Sequence, residues 1–524
     1  MPLPNYSLVL LLQRATKTLQ SITGLFTLVI GGLVAYGIGV ISYRLWFHPL
    51  SKVPGPKLLA VTELPYLYQE HVQGAWARHV AGLHRQYGPI VRIAPNRLAL
   101  DGSIAWPQVY AHRKGKAEFS KIKGFFFPGD EASMIQSNSD DHRRQRRQLA
   151  HAFSEAAMYE QEPIIAQHIS KLIQKLDLFA KKGESVDITR WLSFITFDII
   201  GDLTFTDSFH CLDDSKYHSW VLTIFPSMRG QALRRFMNAL PLLRPLFSLF
   251  ISTREIENSD EHRKLGIAKA ETRMAQGELP NKRWDFMTYM MRANQDGEKG
   301  MHEHEIHANL SLLITAGSET TATALSGFFY YLGRNPKVYN VLADEIRGAF
   351  KSEDDVSIRT TAPLQYLDAV IEETLRVYPP AGETPPRVSP GDVVGGYYVP
   401  KGTQVSTCQW ATFRNPNNFI DPNSFCPERW LPASHPRYER RFDGDNRDAF
   451  RPFSHGPRDC IGKNLAYAEM RVIIARVLYH FDFVLDGSYD KWQDSQAIYL
   501  VWGKGPLIVR LTPQFAIRVA KRRA

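Results

Sequence analysis

Cysteine is scarce in this chain. Its 524 residues hold four, Cys211, Cys408, Cys426 and Cys460, far apart and without a C-x-x-C pair. That spacing excludes a zinc ribbon and a disulfide framework, and it fits a reduced, cytosol-facing domain. Internal repeats and long low-complexity segments are absent as well. The formal net charge of +10 would suit nucleic acid, an anionic membrane or an acidic partner. Basic residues are interspersed with acidic ones, however, and no nucleic-acid-binding motif occurs, so a nucleic-acid partner is not expected. One long stretch lacks charge altogether: from Leu19 to Tyr43 there is no Asp, Glu, Lys or Arg.

What fills that stretch is apolar. GLFTLVIGGLVAYGIGVI belongs to a run long enough for a hydrocarbon core of roughly 30 Å. It is too long for a signal-peptide core, and no small-residue cleavage site follows it. The reading is a tail over 1–20, a single transmembrane anchor over 21–43 and a proline-rich hinge over 44–60, where Pro49, Pro54 and Pro56 forbid helix continuation. Arg14 and Lys17 precede the span; Arg44, Lys52 and Lys57 follow it, a slight bias toward a cytoplasmic C-terminal side. Beyond the hinge, 136–180, 187–205, 214–255, 303–350 and 363–378 carry helical periodicity. Tyr87–Asn96 and Leu98–Leu100 read as a short strand pair, and 391–405 as a turn-rich β pair. The fold class is mainly α with a small β region, one domain over 61–524.

The most informative stretch is Phe453-Ser454-His455-Gly456-Pro457-Arg458-Asp459-Cys460-Ile461-Gly462. A lone cysteine before a helix is usually a small buried hydrophobe. Here it stands at the doorstep of the periodic run Leu465 to Leu478, where helix-end N–H groups favour the thiolate, the form that binds metal. Gly456 and Gly462 would let the backbone lie flat against a planar ligand. Arg458 can meet an anionic edge, and Phe453 can cover the sulfur.

Phe-x-x-Gly-x-Arg-x-Cys-x-Gly resembles in full the haem-binding signature of the cytochrome P-450 family. The resemblance extends from about residue 45 to 512 in motif order and spacing. It implies the cytochrome P-450 fold, haem b with Cys460 as axial thiolate, and dioxygen activation with electrons from an NADPH-dependent reductase. His142 and Arg146, one turn apart, are similar to the family's Trp-x-x-x-Arg pair that binds haem propionates, with histidine for tryptophan; Arg387 resembles a third such ligand. Arg143 and Arg147 form the adjacent row, suited to an acidic reductase. Ala316-Gly317-Ser318-Glu319-Thr320-Thr321 matches the segment whose acid and alcohol, here Glu319 and Thr320, relay protons toward the site of dioxygen activation. Glu373, Arg376 and Arg429 correspond to a buried charged triad. Val501–Pro506 reads as a hairpin closing the pocket.

The implied activity is oxidation of an apolar small molecule by a monooxygenase at the endoplasmic reticulum membrane, its catalytic domain facing the cytoplasm. Phe-His-Pro-Leu followed by Pro-Gly-Pro-Lys is similar to the start of many filamentous-fungal members, which points to secondary metabolism. A haem-thiolate isomerase or dehydratase needs no proton relay, and a haem sensor needs neither relay nor basic face; the Glu319-Thr320 pair argues against both.

Overall fold

The computed structural model describes residues 6–125, 131–243, 245, 254–277, 283–292 and 300–514. Its first helix, α1 (Tyr6–Ser42), begins inside the segment read as a tail, because neither proline nor glycine interrupts Tyr6–Thr23. Thr23–Phe47 has a mean hydropathy of 2.1 and buries none of its apolar window against the protein. By length and composition it can cross a membrane. A π-helical turn carries the helix on through Tyr43–Phe47, and the prolines then end it. The hinge is packed rather than loose: Leu50 and Val53 are buried, Arg44 donates to the Val61 carbonyl at 2.6 Å, and Arg92 donates to the Arg44 carbonyl at 2.8 Å.

Helices dominate the remainder. Those that position the site are α2 (Ser139–Ala150), α3 (Glu155–Lys182), α4 (Ile188–Phe205), α5 (Ser219–Ala239), α6 (Glu303–Arg334), α7 (Gln365–Val377) and α8 (Lys463–His480). Three expected runs are split, 214–255 among them, where α5 ends at Ala239 ahead of Pro241. Residues 136–180 break at His151–Ser154 between α2 and α3, and 303–350 breaks at Asn335, because the following Pro336 restricts it. The end of the 214–255 run falls partly outside the described residues.

The main sheet has five strands, β1 (Ile90–Ala94), β2 (Arg97–Leu100), β3 (Ser120–Lys121), β4 (Arg387–Val388) and β5 (Gln404–Ser406), in the order β1-β2-β5-β4-β3. β2 and β5 are parallel; β3 and β4 are antiparallel, with Lys121 opposite Arg387. The segment 391–405 forms the expected pair, Asp392–Val394 against Tyr397–Val399, before running into β5. Strands Ile498–Tyr499 and Val501–Trp502 turn at Leu500, just ahead of the expected hairpin.

Helix α6 crosses the core. Leu310, Ile314, Leu325 and Leu332 are wholly buried. It approaches α4 at Gly317, where a Cβ would lie 2.6 Å from Ile200 Cδ1. Behind the core stands the charged network. Arg376 reaches Glu373 at 2.7 Å and Arg429 reaches it at 3.1 Å. Trp430 Nε1 and the Cys426 N–H donate to the same carboxylate at 2.9 and 2.8 Å. Arg376 also donates to the carbonyls of Phe413, Pro422 and Ser424. Asp445 completes the group, 2.5 Å from Arg429. Two guanidiniums thus face two carboxylates, and the buried charge is balanced.

Burial alone would raise the Glu373 carboxyl; Arg376, Arg429 and the Cys426 N–H outweigh it and hold it below its ordinary value. Its contribution to stability is therefore present at neutral pH and lost as pH falls through that lowered value. Glu373→Ala should cost about 3–5 kcal/mol in chemical denaturation of the full chain, since it strands two guanidiniums; a loss under about 1 kcal/mol, as for an exposed pair, would refute the assignment.

Candidate active site

The cysteine loop precedes α8. Gly456–Arg458 forms a 3-10 turn, the Cys460 N–H donates to the Phe453 carbonyl at 2.9 Å, and the Phe453 ring lies 5.1 Å from that of Tyr467. Gly456 has φ +81°, and a Cβ there would sit 2.1 Å from the Tyr110 carbonyl oxygen. Backbone meets backbone, so no side chain fits. Gly462 differs: a Cβ there would meet only Phe153 at 3.8 Å and Cys460 Sγ at 4.0 Å. Cys460 is a free thiol accessible to solvent, with protein packed around the loop that carries it. Burial pushes the thiol up, against the Gly462 N–H, Arg146 and Lys463. The helix-end lowering expected from sequence is outweighed, and a bound cation would be what makes the thiolate.

Around Glu118 lies an excess of positive charge. Arg458, its side chain 6% exposed, donates through Nε to Glu118 at 2.6 Å, while its Nη1 is buried without a partner. Arg387, 5% exposed, donates through Nη1 to the Phe119 carbonyl at 3.3 Å, and its buried Nε is likewise unpartnered. Its guanidinium lies 5.2 Å from the Tyr110 ring centroid, and the Tyr110 hydroxyl pairs with Thr384 at 2.6 Å.

His142 is buried, and its ring is pushed down to about 4 by desolvation and then by Arg458 and Arg146. Lys121 is pushed well below its ordinary value by burial, Arg387 and Arg458. Among these side chains Glu118 is the acid; Arg458 and Arg387 help hold its carboxyl low against burial. Buried donors without acceptors are costly. A planar ligand with an iron centre and a carboxylate edge would satisfy them and reach Cys460, so the donor set fits an iron porphyrin.

Arg146 is not turned to this group. It donates to the Asp459 carbonyl at 2.6 Å and to the Asp459 carboxylate at 2.5 Å, bracing the cysteine loop from α2. Within the basic cluster Arg144 turns inward to Glu305; Arg143 and Arg147 are exposed.

On α6, Ala316 is exposed between buried Thr315 and Ser318, a gap in an otherwise covered turn. The hydroxyls that sequence marked as needing partners bond back along the helix: Ser318 to the Ile314 carbonyl and Thr320 to that of Ala316, both at 2.5 Å. Glu319 pairs with Lys504, which also donates to Thr323 at 2.7 Å. The pair lines a cavity of about 520 Å³ between α4, α5, α6 and the C-terminal hairpin, with Phe197, Phe225 and Trp502 on its walls.

Sequence reasoning missed Glu118, Lys121, Asp445 and Lys504. For Lys504 a signal existed, a cation between Gly503 and Gly505 in the segment read as closing the pocket. Glu118 and Lys121 carried none, being joined to Arg387 and Arg458 by sheet register and by contacts distant in sequence.

The sequence model of the cytochrome P-450 family matches residues 54–510. The chain is 44% identical to the cytochrome P-450 monooxygenase astJ of Aspergillus oryzae over 487 residues, 92% of this chain and 95% of that protein. It is 37% identical to the trichothecene C-15 hydroxylase of Fusarium sporotrichioides, over 92% of this chain and 96% of the relative. Identity is also 37% to the averantin hydroxylase of Dothistroma septosporum, over 93% and 91%. Likeness at this level, running the length of the catalytic domain and not confined to the cysteine loop, makes the chain a member of the cytochrome P-450 family of haem-thiolate monooxygenases.

Proposed function

We propose that the chain is a single-pass, membrane-anchored monooxygenase that oxidises an apolar small molecule in fungal secondary metabolism, with haem b as cofactor and electrons from an NADPH-cytochrome reductase. The observation that carries this reading is an accessible Cys460 thiol two residues after Arg458, whose guanidinium, like that of Arg387 in the same cluster about Glu118, keeps a buried nitrogen without a partner. Haem b, when bound, supplies the dioxygen-activating and hydrogen-abstracting chemistry.

The chain's own residues do the rest. Cys460 would supply the thiolate that holds the iron, and Phe453 would shield it. Gly456 and Gly462 keep the loop close and clear. Arg458, Arg387 and His142 hold the carboxylate edge, joined by Lys121. Arg146 acts on the same cofactor by fixing the Asp459 carbonyl and carboxylate beside Cys460. Glu319, reached from the cavity, passes protons toward the Thr320 hydroxyl, which donates to the Ala316 carbonyl in the resting structure and would turn from it to act at the exposed gap of α6. The apolar walls exclude bulk water and accept an apolar substrate. The relatives named as hydroxylases support insertion of oxygen at carbon.

The domain plan is a tail over 1–20, an anchor over 21–43, a hinge over 44–60 and a catalytic domain over 61–524, facing the cytoplasm from the endoplasmic reticulum membrane. The exposed apolar window Thr23–Phe47 supports the anchor. Exposed Arg143 and Arg147 on the outer face of α2 form the landing surface for an acidic reductase.

Purified full-length protein carrying Cys460→Ala should lose the thiolate-type carbon monoxide band while keeping its helical circular dichroism; retention of that band would overturn the role of Cys460. In the wild type, titration with metabolite fractions from a producing fungus should move the Soret band to shorter wavelength. Reversing Arg143 and Arg147 to Glu should slow reductase-driven electron transfer several-fold, and more at low salt than at high. Equal rates at low salt would remove the docking surface.

A further inference from the structure

Glu319 and Thr323 are one helical turn apart on the same face of α6. A single ammonium, Lys504 Nζ, bridges them, touching Glu319 Oε1 and lying 2.7 Å from Thr323 Oγ1. The bridge is almost buried, with side-chain exposures of 8% for Lys504 and 12% for Glu319, and both residues line the cavity.

A lysine side chain ordinarily loses much rotamer freedom when fixed. Here the backbone beneath it is already held. Trp502 Nε1 donates to the Pro379 carbonyl at 2.7 Å, Gly503 N–H to Ala497 at 2.9 Å, and Lys504 N–H to Trp502 at 3.0 Å. Gly503 packs so closely that a Cβ would come 2.5 Å from Phe225 Cζ. The hairpin therefore presents Lys504 to α6 from a fixed base.

We infer that Lys504 is a positioning residue for Glu319: it holds the carboxylate in the rotamer that faces the cavity, where it collects protons for Thr320. The inference rests on the proton-relay reading of Glu319 given above. Lys504 touches neither cofactor nor reacting atoms; it acts through Glu319. Without it a nearly buried carboxylate loses its cation and the fixed rotamer with it, and the relay loses its connection to cavity water. In the family's reaction with dioxygen, electrons not used on substrate leave as hydrogen peroxide (NADPH + H⁺ + O₂ → NADP⁺ + H₂O₂) or as water (2 NADPH + 2 H⁺ + O₂ → 2 NADP⁺ + 2 H₂O). Poor proton supply favours peroxide.

The test uses the full-length holoenzyme reconstituted with reductase, without added substrate, as wild type, Lys504→Met, Lys504→Arg, Glu319→Gln and the Met/Gln double variant. Two quantities are read: the fraction of NADPH electrons recovered as hydrogen peroxide, and Tm. Lys504→Met should raise the peroxide fraction at least twofold with an unchanged carbon monoxide band, Lys504→Arg should stay near wild type, and the double variant should match Glu319→Gln. In Tm the two single losses should not add, because each breaks the same pair. If Lys504→Met lacks haem, Lys504→Gln against Lys504→Arg makes the same comparison. A normal peroxide fraction in Lys504→Met beside a raised one in Glu319→Gln overturns the role of Lys504 and leaves the relay standing. Additive effects also overturn it. A normal fraction in Glu319→Gln removes the relay itself, and this inference with it.

Discussion

The structure depends on a balanced set of charges sealed from water. Glu373 and Arg376 on α7, Arg429 after it and Asp445 beyond are each at most 1% exposed. In such a place an unpaired charge is intolerable, and each partner fixes the others. Arg376 ties the carbonyls of Phe413, Pro422 and Ser424 to α7, while Arg429 holds that of Ile420. This stretch has little regular secondary structure and leads directly into the cysteine loop. Electrostatics does there what backbone ladders do elsewhere, and the sulfur inherits its rigidity.

A second electrical pattern is deliberately unbalanced. Around the cofactor edge Arg458, Arg387, Lys121 and His142 face Glu118. Burial and the neighbouring guanidiniums lower the proton affinity of Lys121 and hold the His142 ring down to about 4, which keeps that ring uncharged at neutral pH. An incoming pair of carboxylates would reverse that. The unpartnered guanidinium atoms mark where the anions go. The contrast between the two groups separates structure from binding: in one every polar atom is answered within the chain, in the other some wait.

Much of the fold was legible. Periodicity located α3, α4, α6 and α7, and turn residues located the strand pair at residues 90–100. Where expectation ran past an element, a local signal had been passed over: Pro336 restricts Asn335, and the Ser154 side chain caps α3 by accepting from the Ala157 N–H. The cysteine loop was legible because its chemistry is contiguous. Glu118 and Lys121 were not, because β3 is two residues long and acquires meaning only through its register with β4. Arg146 shows the limit of face arguments. It shares a helix face with His142, yet its long side chain reaches Asp459 instead, a choice decided by a neighbour 313 positions away. Lys504 stood out between two glycines, but its role did not, because its partner is 185 positions upstream.

Gly456 lets two main chains touch without any side chain between them. On one side is the strand of peptide that carries the sulfur; on the other is Tyr110, whose ring lies against the Arg387 guanidinium. Cys460 and Arg387, the residues proposed to hold the cofactor, are thus joined as parts of a single jaw, hinged on nothing softer than a peptide plane. Such a jaw cannot widen at one end alone. Changes in substrate preference during the family's divergence would then be confined to the cavity walls and the hairpin, where side chains rather than backbones meet, while the grip on the cofactor stays the same size.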